Sequence, residues 1–135
     1  RIQTFRCLTL PIGYNSLQSA YAAFIQITTP DPRTPQMRHS YKLVYAPPVV
    51  LFSIPRNTWY NHHLNRSHRE VSYPYTLEAL GGFGGRYSLC AVVAHTGTAV
   101  RGHYTAYIKR NAAWYYCDDG LVRRSTLIEA MSLRR

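Results

Sequence analysis

Cysteine is scarce in this sequence of 135 residues, and nowhere do two cysteines form a Cys-x-x-Cys pair. The three that are present, Cys7, Cys90 and Cys117, each lie in an apolar, strand-like stretch. An odd number of thiols in apolar surroundings predicts buried free thiols in a reducing compartment and argues against a disulfide-rich secreted fold. Without cysteine pairs, only the histidines at 62, 63 and 68 suggest a metal, and no further ligand lies near them. We therefore predict no metal site and no cofactor.

Acidic residues are also few, six against sixteen basic residues, and the formal net charge is +10. All the basic residues except Lys42 and Lys109 are arginines, and they are scattered along the chain. Scattered charge is typical of solvated surface, and no nucleic-acid-binding motif accompanies it. Nucleic acid is therefore not the favoured partner, but a basic, RNA-associated structural piece remains an alternative.

Long hydrophobic runs are missing too, since no apolar stretch approaches the length of a membrane span and no secretory signal is visible. The predicted location is the cytoplasm or the nucleus, with no membrane as a partner. The length suits one domain with a real core. The chain begins with Arg1 rather than methionine, which suggests a piece of a longer protein or a processed product.

The first part of the chain predicts a strand followed by a helix. Residues 2–10 alternate well enough for a strand, which Pro11 ends. Asn15 or Ser16 can cap a helix that runs to about residue 26, because apolar residues recur at helical spacing: Leu17, Ala20, Tyr21, Phe24 and Ile25. The three prolines of residues 28–35 exclude a regular element there.

Beyond these prolines, strand patterns alternate with turn signals. Residues 49–54 are the strongest β segment, and because they are apolar on both faces we predict a central strand there. A weaker strand pattern covers 41–45. The remaining predictions are, in chain order, an exposed hairpin or loop over 55–70, a short turn over 77–80, a flexible linker over 81–85 and a short helix over 125–131 capped by Ser125 or Thr126.

The stretch from Tyr87 to Val122 predicts a hairpin with an extra strand. The predicted pieces are an apolar strand over 89–94, a turn-rich loop over His95–Arg101, and strands over 104–108 and 114–117 on either side of a turn at Arg110–Ala113. With Asn111 and Ala112 at the centre of that turn, His103 and Asp118 become diagonal neighbours on one face. The other face, with Tyr104, Ala106 and Ile108, is mostly apolar and is predicted to face a core. A one-residue slip would mix the two faces, which register selection resists.

A histidine beside a carboxylate has the arrangement that a general base requires. The carboxylate accepts a hydrogen bond from one ring nitrogen and fixes the tautomer, which leaves the other nitrogen free to take a proton from a nucleophile. An ordinary polar pair at the rim of a sheet is the alternative, because such pairs are common.

Three segments in this region carry a family resemblance: Tyr87-x-Leu-x-Ala-Val-Val-x-His-x-Gly97, Gly102-His-Tyr-x-Ala-Tyr107 and Trp114-x-x-x-Asp-Asp-x-x-Val122. Together they resemble the histidine box of the ubiquitin-specific proteases, which are cysteine deubiquitinases of the papain-like type. Weaker upstream matches are Leu8–Ile12, Ser16–Ala20, Pro47–Leu51 and Val71–Pro74, where Tyr73 stands in place of the usual phenylalanine. The resemblance thus covers most of the chain, in order.

The resemblance implies an α+β fold, namely the mostly antiparallel β palm subdomain of a papain-like cysteine protease, with one N-terminal helix and a stub of the fingers. The implied organisation is a single partial domain over residues 1–135, the palm and fingers half of the catalytic domain. The thumb half, which carries the catalytic cysteine, is not in this chain. The implied partner is ubiquitin or a ubiquitin-like protein.

The resemblance also implies residue roles. His103 would be the general base, Asp118 would orient it, and Asp119 would be a secondary polar group near the oxyanion or the histidine. The implied substrate-side residues are Gly102, which leaves room for the Gly-Gly tail of ubiquitin, Tyr104, then His95 and Gly97 in a loop that gates the tail, and Trp114, which braces the hairpin.

The family's nucleophile, in an Asn-x-x-x-Cys-Tyr-x-Asn-Ser pattern at the start of a helix, is missing from the sequence. The cysteines that are present lie in predicted strands and are poor candidates for it. Two hypotheses follow. The chain is a fragment of a deubiquitinase-type (iso)peptidase that cleaves after the C-terminal glycine of the modifier once a Cys-bearing segment completes it. Alternatively, the parent is an inactive pseudoprotease that acts as a ubiquitin-binding or assembly module.

Overall fold

The computed structural model describes residues 4–26, 29–31, 33–39, 41–78 and 85–133. The elements in chain order are β1 (Leu8–Thr9), α1 (Leu17–Gln26), β2 (Thr29–Asp31), β3 (Thr34–His39), β4 (Phe52–Ser53), β5 (Asn57–Tyr60), β6 (His63–Arg66), β7 (Thr76–Glu78), β8 (Arg86–Ser88), β9 (Ala91–Gly97), β10 (Gly102–Arg110), β11 (Ala113–Asp118), β12 (Leu121–Ser125) and α2 (Leu127–Met131). The predicted fold class is confirmed, because the strand pairs are antiparallel except for β1 with β4.

The largest sheet is antiparallel and four-stranded, in the order β12-β11-β10-β9. The predicted turn is confirmed, since Arg110 pairs with Ala113 and Ala106 pairs with Cys117. Asn111 and Ala112 form the two-residue turn with φ values of +49° and +63°. Such left-handed turns match the twist of a hairpin and therefore fix its register. The β9 strand extends the sheet on the other side of β10, so the predicted loop over His95–Arg101 is shorter, beginning only after Gly97.

The buried face of this sheet is the opposite of the predicted one. Tyr107 and Trp114 are 8% and 5% exposed and pack on Ala130 of α2. Tyr104, on the face predicted to meet a core, is 67% exposed. Two large aromatic rings offer more apolar area to a packing helix than the smaller side chains of the other face, so α2 covers the aromatic side. His103 and Asp118 consequently lie at the end of the packed face.

The opposite face of the sheet is apolar and open among the described residues. Val93 is 67% exposed and Val122 is 60% exposed, and they flank Ala106 and Cys117 in neighbouring strands. We call this surface the open face; Ile108 also belongs to it.

The second cluster of buried residues lies around α1, which confirms the predicted helix. Ser16 caps it, because the Ser19 backbone N–H donates to the Ser16 hydroxyl at 3.1 Å. The members of this cluster are Leu8, Leu10, Leu17, Ala20, Tyr21 and Leu77. They join α1 to β1 and to the parallel strand β4.

Several predicted strands are shorter than expected or absent. Within residues 4–10, the described part of the predicted strand 2–10, only Leu8–Thr9 form a strand, and residues 41–45 contain none. The predicted central strand over 49–54 is reduced to Phe52–Ser53, while Val49 is 72% exposed. Its β-branched composition gave a strong propensity, but propensity describes fit to a half-buried pleated surface. Among the described residues β4 has a strand partner on one side only, namely β1.

Two regions predicted to be irregular or loop-like contain hairpins. The strands β2 and β3 pair across the proline-rich segment, with a register shift between Pro30 and Asp31. An irregular edge pair tolerates proline, so the exclusion of regular structure over 28–35 was wrong. The exposed hairpin predicted over 55–70 is confirmed as β5 and β6, which meet at the positive-φ residues Asn61 and His62.

The remaining predictions have mixed outcomes. The short terminal helix is confirmed as α2, whose Thr126 hydroxyl accepts from the Glu129 backbone N–H at 3.2 Å. Leu77 lies in β7 rather than in a turn, and the predicted linker up to position 84 lies outside the described residues. The cysteines are free thiols, as predicted, but they are not buried: Cys7 and Cys117 are half-buried and Cys90 is exposed.

Candidate functional site

His103 and Asp118 meet where β10 begins and β11 ends. The Nε2 of His103 lies 2.5 Å from Oδ1 of Asp118. The two side chains are 47% and 33% exposed, so the pair is at the surface. The adjacency predicted from the hairpin register is therefore present, on the face that also carries Tyr107 and Trp114.

The contact with Asp118 defines how the ring of His103 can act. When Nε2–H donates to the carboxylate, Nδ1 carries the lone pair and is the nitrogen that can take a proton. The other carboxylate oxygen, Oδ2, accepts from the Tyr116 hydroxyl at 3.2 Å. Asp118 is thus held by His103 and by Tyr116. It orients the imidazole of His103 so that Nδ1, the basic nitrogen, is directed away from Asp118.

Asp119 is the nearby second carboxylate that the sequence predicted. Its Oδ2 lies 4.0 Å from Nε2 of His103, and its side chain is 85% exposed. The residue opens the turn between β11 and β12 with φ +47°. The ligand atoms of His103, Asp118 and Asp119 lie within 4.8 Å of one another, a spacing that exposed polar groups also adopt without a metal.

The pair shifts the protonation of both partners. The hydrogen bond to Asp118, and then its negative charge, raise the pKa of His103 above the usual histidine value. The hydrogen bond from His103 lowers the pKa of Asp118. A raised histidine pKa stabilises the fold below the unfolded value of about 6.5 and a lowered aspartate pKa stabilises it above about 3.9, so both contributions are complete between those limits.

Substitution of Asp118 by asparagine should lower the pKa of His103, because the neutral amide removes both the charge and the strongest acceptor. Asp119→Asn is the matched control, since Asp119 acts on His103 only through a weaker charge interaction. We expect a larger fall for Asp118→Asn in an NMR titration of the histidine ring protons. The stability difference from wild type should be greatest between about pH 4 and 6.5 and should shrink at higher pH. Equal pKa values in the two variants would contradict this arrangement.

The predicted substrate-side residues gather at the open end of β9 and β10. Gly97 pairs directly with Gly102, and His95 pairs with Tyr104, with 4.5 Å between ring centroids. Gly97 has φ +106°, a conformation that favours glycine. A Cβ on Gly102 would collide with the ring of His95 and with the carbonyl oxygen of Thr96. Glycine at 102 is therefore required by the fold itself.

Trp114 lies apart from these residues, in the packed cluster on the other face of the sheet. It pairs with Lys109 and packs with Tyr107 against α2. This packing is compatible with the predicted bracing of the hairpin, which stays a prediction.

Two residues of the site were missed by sequence reasoning. Tyr116 holds Asp118, and its position two residues before Asp118 on the same strand was the available signal. Arg66 reaches His95 from the β5–β6 hairpin, and no sequence signal marked it because residues 55–70 were assigned only as an exposed segment. Cys117 lies on the face opposite His103, because it pairs with Ala106 of β10. Among the described residues no helix is long and apolar enough to cross a membrane.

The four-stranded antiparallel sheet and its His103–Asp118 pair are the features to compare with known protein families. The family model described as "Ubiquitin carboxyl-terminal hydrolase" matches residues 14–132, so the chain belongs to this family. Its curated relatives include ubiquitin carboxyl-terminal hydrolase 51 of Mus musculus, 40% identical over 48 residues, which are 35% of this chain and 7% of the relative. Ubiquitin carboxyl-terminal hydrolase 11 of Schizosaccharomyces pombe is 29% identical over 90 residues, 66% of this chain and 25% of the relative.

Solved structures show the same fold. A chain in the structure of the Ubp8–Sgf11–Sgf73–Sus1 SAGA DUB module matches with a TM-score of 0.77 and 22% identity, covering 96% of this chain and 32% of that one. A chain of the module bound to monoubiquitin matches with a TM-score of 0.74 and 18% identity, covering 96% and 33%. The chain therefore spans about a third of the length of these structural neighbours and a quarter or less of the two curated relatives.

Proposed function

We propose that the chain is the palm half of a deubiquitinase-type cysteine (iso)peptidase, with its nucleophilic thiol on a thumb segment that is not part of these 135 residues. The observation that carries the proposal is the 2.5 Å contact between His103 and Asp118 at the open end of the β10–β11 hairpin. Family membership supports it, since the matching segment includes both residues.

The roles follow from the geometry. Nδ1 of His103 would take the proton of the thiol and later give it to the leaving amine, while Asp118 keeps the ring in one tautomer. Asp119, 4.0 Å away, adds negative charge that favours the protonated ring. The backbone at Gly97 and Gly102 would receive the diglycine end of ubiquitin or a ubiquitin-like modifier, beside the contacting rings of His95 and Tyr104.

The proposal is tested by joining the chain to the thumb segment of a ubiquitin carboxyl-terminal hydrolase of the same family and assaying a fluorogenic ubiquitin substrate. We expect hydrolysis by the completed protein and none by the chain alone, because the chain has no cysteine on the His103 face of β11. Folded, completed protein that stays inactive would refute the enzymatic role.

A second candidate is a catalytically inactive module that binds ubiquitin or assembles with other proteins. None of Cys7, Cys90 and Cys117 matches the family's nucleophile pattern, so the two candidates differ in whether a segment outside these 135 residues supplies the thiol. This candidate predicts ubiquitin binding that survives loss of His103 and no hydrolysis after completion. An RNA-associated role would instead show nucleic-acid binding that weakens steeply with added salt.

The proposed location is the cytoplasm or the nucleus. Free cysteines in a chain with no disulfide support a reducing compartment. The proposed partner is ubiquitin or a ubiquitin-like protein, together with the thumb segment.

A further inference from the structure

Arg66, the last residue of β6, reaches out of its hairpin and contacts His95 in β9. Its guanidinium donates to Nδ1 of the His95 ring and, at 2.6 Å, to the backbone carbonyl of the same residue. The two contacts fix both the position of the β9 backbone and the orientation of the ring. They also tie the exposed β5–β6 hairpin to the candidate site, 29 positions further along the chain.

The contact determines where His95 carries its proton. A guanidinium can only donate, so Nδ1 of His95 must accept and the proton of the neutral ring is on Nε2. The Nε2 atom lies directly over Gly102, where a Cβ would collide with it. Gly102 immediately precedes His103 and pairs with Gly97. A fixed N–H donor therefore lies beside backbone without side chains at the end of β10, on the face of the sheet opposite the His103 side chain.

Considered without its contact to His95, the placement of Arg66 lowers the stability of the fold. Its Nε is buried and has no hydrogen-bond partner within the described part of the chain. Burial first, and then the positive charge of Arg66, lower the pKa of the neighbouring Arg56. A buried unpaired donor and a like-charge neighbour both cost stability. The hydrogen bonds to His95 offset part of this cost.

We propose that Arg66 is a positioning residue, which holds His95 as an Nε2–H donor for a backbone carbonyl of the modifier's diglycine tail. The inference rests on the proposed function and deepens it, because it names the part of the substrate that this corner of the site recognises. A tail of two glycines fits, since its narrow backbone offers carbonyl groups and no side chains to the surface at Gly97 and Gly102.

The test compares two probes, ubiquitin and ubiquitin lacking its last two glycines, in calorimetric titrations of the chain. The dissociation constant for the truncated probe, divided by that for intact ubiquitin, measures how much the tail contributes to binding. We expect Arg66→Met to reduce this ratio by about threefold to tenfold, the effect of one lost hydrogen bond, and to leave binding of the truncated probe unchanged. Arg86→Met is the matched control, because Arg86 pairs with Glu78 in an exposed ion pair on β7 and β8.

Two further variants make the result specific. Arg66→Lys keeps the charge but loses the forked donor pair, so we expect an intermediate ratio, and it replaces Arg66→Met if that variant fails to fold. In a His95→Ala background, Arg66→Met should cause no additional loss, since the arginine acts through the ring.

The outcomes separate the two proposals. If neither probe binds the wild-type chain, the inference is refuted, whereas the proposed function is decided separately by hydrolysis in the completed protein. If ubiquitin binds and Arg66→Met changes the ratio no more than Arg86→Met does, the inference alone is refuted. A ratio that falls equally in the His95→Ala background would also overturn it, because the arginine would then act independently of the ring.

Discussion

His103→Ala should reduce hydrolysis of a fluorogenic ubiquitin substrate by about 10²- to 10⁴-fold, because a general base usually contributes a factor of this size. The measurement uses the protein completed by a thumb segment. His103 is the ring that Asp118 orients, through the 2.5 Å contact of Nε2 with Oδ1. Its removal would delete the group that we propose activates the thiol and protonates the leaving amine. Binding of ubiquitin should change little, because the ring is at the surface and the proposed tail contacts lie with Gly97 and Gly102.

His62→Ala is the matched control for this prediction. His62 lies in the exposed turn of the β5–β6 hairpin, with φ +62°. The same substitution there removes an imidazole without touching the candidate site, so activity should stay within about twofold, since surface changes of this kind are worth about 0.5 kcal/mol or less. Similar activities for the His103 and His62 variants would refute the base assignment.

The largest expected effect on folding comes from Trp114→Ala. The indole is 5% exposed and packs with Tyr107 against Ala130 of α2. Truncation leaves a cavity in the cluster that supports β10 and β11, and such changes lower the free energy of unfolding by about 3–5 kcal/mol. We expect this loss in urea denaturation followed by circular dichroism.

Trp59→Ala serves as the control for that measurement. Trp59 is 75% exposed on β5, so the same change of residue type should alter the free energy of unfolding by no more than about 0.5 kcal/mol. Comparable losses from the two substitutions would show that the aromatic cluster does not support the sheet.

The hairpin that carries the site was predictable because its register depends on local information. A two-residue turn at Asn111 and Ala112 fixes which residues oppose each other, and the pairing of Arg110 with Ala113 follows directly. The neighbourhood of His103 and Asp118 was therefore contained in the sequence. The same holds for α1, whose helical spacing and Ser16 cap are local signals.

What the sequence could not decide depends on packing between distant segments. Which face of the sheet is buried was determined by α2, which covers Tyr107 and Trp114 although the other face also has an apolar pattern. The central strand expected over 49–54 required neighbours on both sides, and in the part of the chain that the structure describes β4 pairs with β1 alone. The contact of Arg66 with His95 joins two hairpins, so no periodicity within either of them could reveal it.

The open face also affects how the molecule behaves in solution. Val93, Val122 and Tyr104 are 60–67% exposed and form apolar surface on three strands of the same sheet, β9, β12 and β10. Exposed apolar area of this kind makes copies of a chain adhere to one another. The formal charge of +10 opposes this through mutual repulsion. Added salt screens that repulsion, so we expect concentrated solutions of the protein to have lower turbidity at low ionic strength than at high ionic strength.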